Sequence, residues 1–184
     1  MDIEKILEET GAILKGHFLL SSGLHSDKYF QIALVFQYPE YGEKIAFQLA
    51  KMFKDEKIDV VIGPAIGGII LSYELGRILK ARSIFAEREN GKMRLRRGFD
   101  ILEGERVLIC EDVITTGLSV GEVIEIVREK KGEIVGIGCI VERGKAEFPY
   151  PVKSLLKLEI KNYHPSECPL CKKGIPLVKP GSRR

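Results

Sequence analysis

The stretch that decides the fold covers residues 105–119 and reads ERVLICEDVITTGLS. Its apolar run VLIC is typical of a strand that is buried on both faces. Two acids, Glu111 and Asp112, follow at the carboxyl end of that strand. In open α/β sheets, ligands bind in the crevice beyond the carboxyl ends of the strands. The two acids are therefore predicted to line a binding site.

The turn after the acids suits a phosphate group. Thr115 and Thr116 offer hydroxyl donors, and Gly117 lets the backbone approach a ligand closely. The first N–H groups of the following helix are unpaired and carry partial positive charge. Ser119 and Glu122 have the spacing of a capping box for that helix. The two acids would repel a phosphate, so we expect them to serve hydroxyl groups or a hydrated Mg²⁺ ion.

On both sides of this stretch, short apolar runs alternate with helical patterns. We predict strands over residues 58–63, 83–87, 106–112 and 133–143, an edge strand over 152–160, and helices over 2–15, 39–56, 67–81 and 119–132. Strands that alternate with helices in this way favour right-handed βαβ units. The predicted fold class is therefore α/β, with a central, mainly parallel sheet flanked by helices.

Composition sets broad limits on function. The chain has 184 residues, 45% hydrophobic and 30% charged, with a net charge of +3, which fits one globular domain. This balance excludes a strongly basic nucleic-acid coat and a disordered acidic tail. No apolar run reaches the roughly 18 residues that span a bilayer, and the N-terminus lacks the pattern of a signal peptide. We expect a cytoplasmic protein without a membrane or nucleic-acid partner.

The small net charge hides two basic segments. Residues 87–98 carry five bases and two acids, and residues 172–184 carry five bases and no acid. Residues 87–104 are polar, contain glycine and follow no clear period. A long aperiodic stretch inside a compact domain is usually functional, and we interpret it as a flexible loop, with a solvated basic hairpin as the alternative.

Residues 105–119 match the phosphoribosyl-pyrophosphate (PRPP) signature of the type I phosphoribosyltransferases: an apolar strand, two acids, then Thr-Thr-Gly. With LLSSGLHSDKYF, GPAIGGI, FAERENGKMRLRRGF, IVERG and CPLCKKGIPLVKPGSR, the chain resembles the orotate phosphoribosyltransferase family over most of its length. The resemblance implies the type I phosphoribosyltransferase fold. It implies a single domain over 1–184, a small hood from about 16–38 and the C-terminal part, and a flexible loop at about 87–104.

The family reaction transfers ribose 5-phosphate from PRPP to orotate. It yields orotidine 5′-monophosphate and pyrophosphate, uses Mg²⁺ and belongs to de novo pyrimidine biosynthesis. The resemblance also implies a homodimer in which the loop reaches the neighbouring subunit's site. The Mg²⁺ ion would be carried by PRPP, with no certain direct protein ligand and with a water contact to Asp112.

The resemblance assigns site residues one by one. The catalytic residues would be Lys92, Glu111 and Asp112. PRPP would be bound by Arg88, Lys92, Glu111, Asp112, Val113, Ile114, Thr115, Thr116, Gly117, Leu118 and Ser119. The pyrophosphate loop would be Ala65, Ile66 and Gly67, and orotate would contact Thr115 and Arg143. Lys28, Tyr29 and Phe30 would cap the base.

Two other functions share the PRPP signature. A purine phosphoribosyltransferase would have the same PRPP site without the orotate-type loop and Arg143. A PRPP-sensing regulator would bind PRPP without catalysis, and it would usually carry a nucleic-acid-binding part. Pyrophosphate release with different bases distinguishes these functions from orotate transfer.

The four cysteines fall into two groups. Cys110 and Cys139 lie in apolar runs and are expected to be small buried hydrophobes. Cys168 and Cys171 form one CxxC, with His164 four residues earlier. Together they offer three zinc ligands, whereas a closed structural site needs four. A plain structural tail is the preferred interpretation, with a zinc site or a disulfide as the alternatives.

Overall fold

A computed structural model describes residues 2–20, 22–144, 146–158 and 162–180. Within them, the chain forms one sheet of six strands and one of three. The strands are β1 (Ile13–Leu19), β2 (His25–Phe30), β3 (Val60–Pro64), β4 (Arg82–Glu89), β5 (Lys92–Leu95), β6 (Arg106–Ile114), β7 (Glu133–Glu142), β8 (Val152–Lys157) and β9 (Asn162–Tyr163). The helices are α1 (Ile3–Glu9), α2 (Pro39–Lys51), α3 (Gly67–Leu79), α4 (Leu118–Glu129) and the single turn α5 (Pro169–Lys172), with 3₁₀ turns at Ile32–Leu34 and Pro165–Glu167.

The large sheet has the order β5-β4-β3-β6-β7-β8, and every neighbouring pair except β4 and β5 is parallel. The predicted parallel α/β sheet is confirmed, and β8 lies at its edge as expected. Leu49 of α2 and Leu71 of α3 pack in one core cluster, and Val123 of α4 packs in a second cluster. The helices thus cover both faces of the sheet.

Strand β6 lies in the middle of this arrangement. Its residues Val107, Leu108, Ile109 and Cys110 are fully buried. Leu108 and Cys110 belong to the cluster with α2 and α3, while Val107 and Ile109 belong to the cluster with α4. Burying each of the larger aliphatic side chains stabilises the fold by about 1.5–3 kcal/mol. This apolar strand therefore holds the two acids that follow it at a fixed point of the sheet edge.

The small sheet consists of β1, β2 and β9, which pair antiparallel in the order β1-β2-β9. The predicted helix over 2–15 is wrong in its second half, because α1 ends at Glu9 and Ile13 already belongs to β1. Gly11, with a φ of +69°, closes the helix in the left-handed conformation that glycine adopts without strain.

The prediction of an aperiodic loop over 87–104 is also wrong over residues 87–95. There β4 and β5 form an antiparallel hairpin, with Arg88 opposite Met93 and Glu89 opposite Lys92. The hairpin turns at Asn90–Gly91, where both φ angles are positive, and this dipeptide favours a tight two-residue turn. Met93 is buried in the α4 cluster. Residues 96–105 contain no helix or strand.

The C-terminal tail packs against the small sheet through a few backbone contacts. Val178 bridges Phe18 of β1, and the Val178 N–H donates to the His17 carbonyl over 2.8 Å. Residues 159–160 of the predicted edge strand, and Arg183 and Arg184 of the basic tail, lie outside the described residues. Among the helices described, none combines the length and the hydropathy needed to cross a membrane.

Candidate active site

Glu111 and Asp112 lie at the carboxyl end of β6. A Glu111 carboxylate oxygen accepts the Asp112 N–H over 3.1 Å, and an Asp112 oxygen accepts the Val113 N–H over 2.7 Å. Glu111 is buried. Burial, and then the neighbouring Asp112 charge, raise the pKa of Glu111 well above its usual range, and burial raises the pKa of Asp112. Within the described residues neither acid has a cationic partner at salt-bridge distance, so the pair is suited to bind hydroxyl groups or a cation.

At the turn from β6 into α4, no side chain caps the first backbone N–H groups of the helix. Gly117 is the N-cap of α4, with a φ of +77°, and no side chain caps the helix. The predicted capping box is therefore wrong: the Glu122 carboxylate pairs with the Arg88 guanidinium instead. Thr116 Oγ1 lies 3.5 Å from the Leu118 nitrogen, which is too long for a strong bond. The start of α4 thus retains N–H groups that can bind an anion.

The loop after β3 lies directly beside Asp112. The Ala65 N–H donates to the Ala86 carbonyl over 2.6 Å, and the Ala65–Ile66 peptide is cis. Ile66 is 78% exposed. A Cβ added at Gly67 would overlap the Asp112 carboxylate. A side chain at Gly67 would therefore require the Asp112 carboxylate to move. The loop 65–67 and the acid pair thus border the same space.

Arg143 follows β7 and lies next to the turn of β6. The backbone N–H of Arg143 donates to the Ile114 carbonyl over 2.8 Å. The residue is 5% exposed, and its Nε and Nη2 atoms have no hydrogen-bond partner in the described residues. The loss of hydration on burial lowers the pKa of Arg143, although a guanidinium stays protonated at any working pH. A buried guanidinium without a partner is costly, which marks it as a binding group for an anion.

The small sheet supplies aromatic residues to the same region. The Arg143 guanidinium lies over the Phe30 ring, 5.7 Å from its centroid. Burial and the Asp112 charge raise the pKa of Tyr29, and the Arg143 charge opposes them. Tyr29 therefore lies within electrostatic reach of both charged residues. Lys28 is exposed on β2, opposite Lys15, and no described contact brings it to the acids or to Arg143.

The basic segment contains three arginines that are already paired and two exposed bases, Lys92 and Arg94, that form no ion pair within the described residues. Arg88 binds Glu122 through two hydrogen bonds and donates to the Gly91 carbonyl over 3.0 Å. Among the other bases, Arg97 binds Glu87 and Arg96 binds Glu89. Lys92 is exposed and forms no ion pair within the described residues. The Arg88–Glu122 pair was not predicted, because the two residues lie 34 positions apart.

The register places the hairpin tip beyond the edge of the sheet that carries the acids. Ala86 pairs with Pro64, and β3 pairs with β6 up to Ile62 and Ile109. Since β3, β4 and β6 are parallel, the last residues of β4 extend past the carboxyl end of β3 on the same side as Glu111 and Asp112. No direct contact joins Lys92 to either acid among the described residues.

A phosphoribosyl transferase domain model matches residues 35–169. An orotate phosphoribosyltransferase of Caldicellulosiruptor bescii is 61% identical over 182 residues, covering 98% of this chain and 96% of the relative. One from Thermotoga maritima is 55% identical over 183 residues, covering 98% of both chains. The chain belongs to the orotate phosphoribosyltransferase family.

Solved structures agree with this assignment at the level of the fold. An orotate phosphoribosyltransferase from Aeropyrum pernix superposes with a TM-score of 0.71 at 24% identity, covering 85% of this chain and 94% of that one. An adenine phosphoribosyltransferase from Thermoanaerobacter pseudethanolicus also gives 0.71, at 18% identity, covering 85% of this chain and all of that one. The fold is thus common to orotate and adenine enzymes, and the high sequence identities place this chain in the orotate phosphoribosyltransferase family.

Proposed function

We propose that the chain transfers ribose 5-phosphate from PRPP to orotate and releases pyrophosphate, as a step of pyrimidine nucleotide biosynthesis. The observation that supports this best is the buried guanidinium of Arg143 beside the turn of β6, whose Nε and Nη2 atoms have no hydrogen-bond partner in the described part of the chain. Orotate carries a carboxylate, and a planar guanidinium binds a carboxylate through two parallel hydrogen bonds. Adenine and hypoxanthine offer no such anion.

The base would bind between Arg143 and the small sheet. Arg143 would hold the orotate carboxylate with its free Nε and Nη2 atoms, and Thr115 would supply a second contact. Tyr29 and Phe30 would bound the base on the side of β2, where Phe30 already supports the guanidinium. Lys28 belongs to the same proposed cap, although it is exposed in this structure.

PRPP would extend from the turn of β6 to the loop after β3. The backbone and hydroxyl groups of residues 113–119 would hold its 5-phosphate at the open start of α4. Glu111 and Asp112 would accept hydrogen bonds from the ribose hydroxyls. The loop of Ala65, Ile66 and Gly67 would border the pyrophosphate, consistent with the closeness of Gly67 to Asp112.

The site also fits Mg²⁺. The two adjacent carboxylates, Glu111 buried and Asp112 partly buried, have raised pKa values and no cationic partner in the described residues. They form an oxygen-rich site of the kind that Mg²⁺ prefers. Asp112 would hold the ion through water, next to the diphosphate of PRPP. When bound, Mg²⁺ would neutralise charge on the leaving pyrophosphate.

The reaction would be a substitution at the anomeric carbon of the ribose. A ring nitrogen of orotate gives up its proton to solvent and forms the new C–N bond while the C–O bond to pyrophosphate breaks, and the bonding electron pair of that C–O bond leaves with the pyrophosphate oxygen. Positive charge develops on the ribose, where Glu111 and Asp112 stabilise it. Lys92 would neutralise the leaving group, and Arg88 would join it after exchanging Glu122 for a phosphate. The protein contributes mainly positioning and electrostatic stabilisation.

We propose an assembly and a location on the basis of the family resemblance. The enzyme would be a cytoplasmic homodimer in which the β4–β5 hairpin of one subunit approaches the site of the other. This arrangement would bring Lys92, which no acid of its own described chain neutralises, to the PRPP of the neighbour. Closure of the β4–β5 hairpin over the site would exclude water and so protect PRPP from hydrolysis.

The test is to mix the protein with PRPP and Mg²⁺ and to measure pyrophosphate release with one base at a time. Release with orotate alone supports the proposal. Release with adenine or hypoxanthine would instead indicate a purine enzyme, and PRPP binding without release with any base would indicate a regulator. The exposed α4 variant Arg128→Ala is the control for loss of a cation, since Arg128 contacts only Glu125 and Tyr150 among the described groups.

A further inference from the structure

A second cluster of reactive side chains lies away from the acids, where the C-terminal tail meets the small sheet. It contains His17 of β1, His25 of β2, Cys168 immediately before α5 and Cys171 within α5. Their ligand atoms all lie within 4.8 Å of one another. His17, His25 and Cys168 are buried, and Cys171 is exposed.

The distances within the cluster match a metal site. Cys168 Sγ lies 3.5 Å from His17 Nε2, and Cys171 Sγ lies 3.7 Å from the same atom and 3.3 Å from His25 Nδ1. In a tetrahedral zinc site, with bonds of about 2.0–2.3 Å, the ligand atoms lie about 3.3–3.8 Å apart. The two imidazole nitrogens are closer, at 2.9 Å.

The surroundings of His17 orient it as a ligand. Its Nδ1 lies 2.7 Å from the Ile175 carbonyl oxygen, so Nδ1 carries the proton and donates it to that oxygen. Nε2 then has a free lone pair that points into the cluster. A metal-binding histidine usually donates its other N–H to a carbonyl or carboxylate in this way, which fixes the tautomer and the ring.

Hydrogen bonds alone do not satisfy the cluster. If His25 Nδ1 donates to His17 Nε2, that nitrogen is the one good acceptor in the group, and the two thiols have no nitrogen lone pair left to bind. A disulfide does not use the cysteines either, since Cys168 and Cys171 are both free. A cation with two thiolates and two neutral imidazoles accounts for all four groups at once.

We propose that His17, His25, Cys168 and Cys171 bind one Zn²⁺ ion per chain in a closed structural site. A tetrahedral set of two sulfur and two nitrogen ligands selects zinc, and four protein ligands leave no position for a substrate. The tail supplies only two of these four ligands, the two cysteines, and both histidines come from the small sheet. His164, the histidine expected from spacing, instead hydrogen-bonds Ser166 over 2.7 Å, while β1 and β2 supply His17 and His25.

The ion would fasten the tail to the small sheet. The other ties are short: β9 pairs with β2 through two residues, and Val178 bridges Phe18. Residues 171–179 are exposed and bury little apolar surface that could hold them. Two of the ligands lie on the strands of the small sheet, so the ion would also fix β2 and with it Tyr29. This last consequence rests on the proposed orotate site, whereas the metal site itself does not.

The first test measures metal directly. Wild-type protein, purified with a reductant and without a histidine tag, should contain about one zinc ion per chain by elemental analysis. After zinc is removed, Co²⁺ should bind in its place and produce the visible absorption of a tetrahedral ion together with a thiolate-to-metal charge-transfer band. A folded wild-type protein that contains no zinc, and that binds Co²⁺ without these bands, would overturn the proposal.

Matched variants identify the ligands. Cys171→Ser and His17→Ala should each lower zinc affinity by at least the roughly 10- to 100-fold that loss of an outer-shell partner costs. His164→Ala, in the same tail and close in sequence, should keep the metal. Cys171 is exposed, so its substitution is compatible with folding, and circular dichroism checks this. Equal loss of zinc in His164→Ala and Cys171→Ser would contradict the assignment, and orotate transfer measured in parallel tests the proposed function separately.

Discussion

The large and the small sheet each bury polar side chains. In the large sheet these side chains lack ionic partners among the described residues, whereas in the small sheet they lie close to one another. At the edge of the large sheet, Glu111, Asp112 and Arg143 are ionisable groups with no ionic partner among the described residues. In the small sheet, four ligand atoms from His17, His25, Cys168 and Cys171 converge on one another. The groups of the large sheet need a ligand to compensate their charges. The four ligand atoms of the small sheet instead surround one position, where a metal ion could bind.

This difference indicates two functions, substrate binding at the large sheet and structural stabilisation at the small sheet. Groups that must bind and release a substrate remain unpaired, at a cost in stability. Groups that hold a structural ion surround it completely. Tyr29 connects the two regions, because β2 carries both His25 of the cluster and the tyrosine near Arg143.

The largest effect is expected from Arg143→Ala. Loss of a buried charged partner typically costs 2–5 kcal/mol, so kcat/KM for orotate should fall about 1,000-fold while the KM for PRPP changes little. Steady-state kinetics with each substrate varied in turn measures both values, with Arg128→Ala as the control. A change confined to the KM for PRPP would show that Arg143 does not bind orotate.

A smaller loss is expected from Lys92→Ala. If Lys92 neutralises the leaving pyrophosphate, kcat should fall about 100-fold, with little change in the PRPP dissociation constant. Arg96→Ala is the matched control, because Arg96 lies just after the same hairpin but is already paired with Glu89. An unchanged kcat in Lys92→Ala would remove Lys92 from the catalytic residues.

The connection between the two regions predicts an intermediate effect for Cys171→Ser. Without the ion, β2 would occupy its binding-competent position for less of the time, which weakens apparent affinity in proportion. We expect the KM for orotate to rise about tenfold and the KM for PRPP to stay within error, with His164→Ala unchanged. Equal KM values for orotate in both variants would show that the small sheet does not depend on the cluster to hold Tyr29.

The smallest effect is on stability and depends on pH. Burial raises the pKa of Glu111 above its unfolded value, so the stability that its protonated form contributes is present below the unfolded pKa. That stability is lost as the pH rises through the higher folded pKa. Glu111→Gln should therefore melt at a higher temperature than wild type at alkaline pH, and the difference should shrink as the pH falls. Thermal melts in the absence of substrates and Mg²⁺ measure this.

The control for that experiment is Glu129→Gln on the exposed end of α4. It removes a charge without changing a buried group, so its melting temperature should follow wild type at every pH. A melting temperature for Glu111→Gln at or below that of wild type at alkaline pH would show that Glu111 is stabilised in its charged form.

Much of the large sheet could be predicted because each of its parts is local. An apolar run of four residues, with helical periodicity on either side, favours a parallel strand, and Glu111 and Asp112 follow it directly. The hairpin over 87–95 was only the alternative interpretation, because its two strands alternate weakly and most of its side chains are charged. The length of α1 was overestimated because Ile13 continues a helical spacing that Gly11 interrupts.

The sequence by itself determined the order of strands and helices, the acid pair and the turn that follows it, because these depend on residues close together in the chain. Tertiary structure decided which distant groups meet. It buried Arg143 with no hydrogen-bond partner for Nε and Nη2 among the described residues. It also paired Arg88 with Glu122 and brought His17 and His25 to cysteines about 150 positions away. No spacing rule reaches across such distances, since the contact exists only after the small sheet and the tail have packed together.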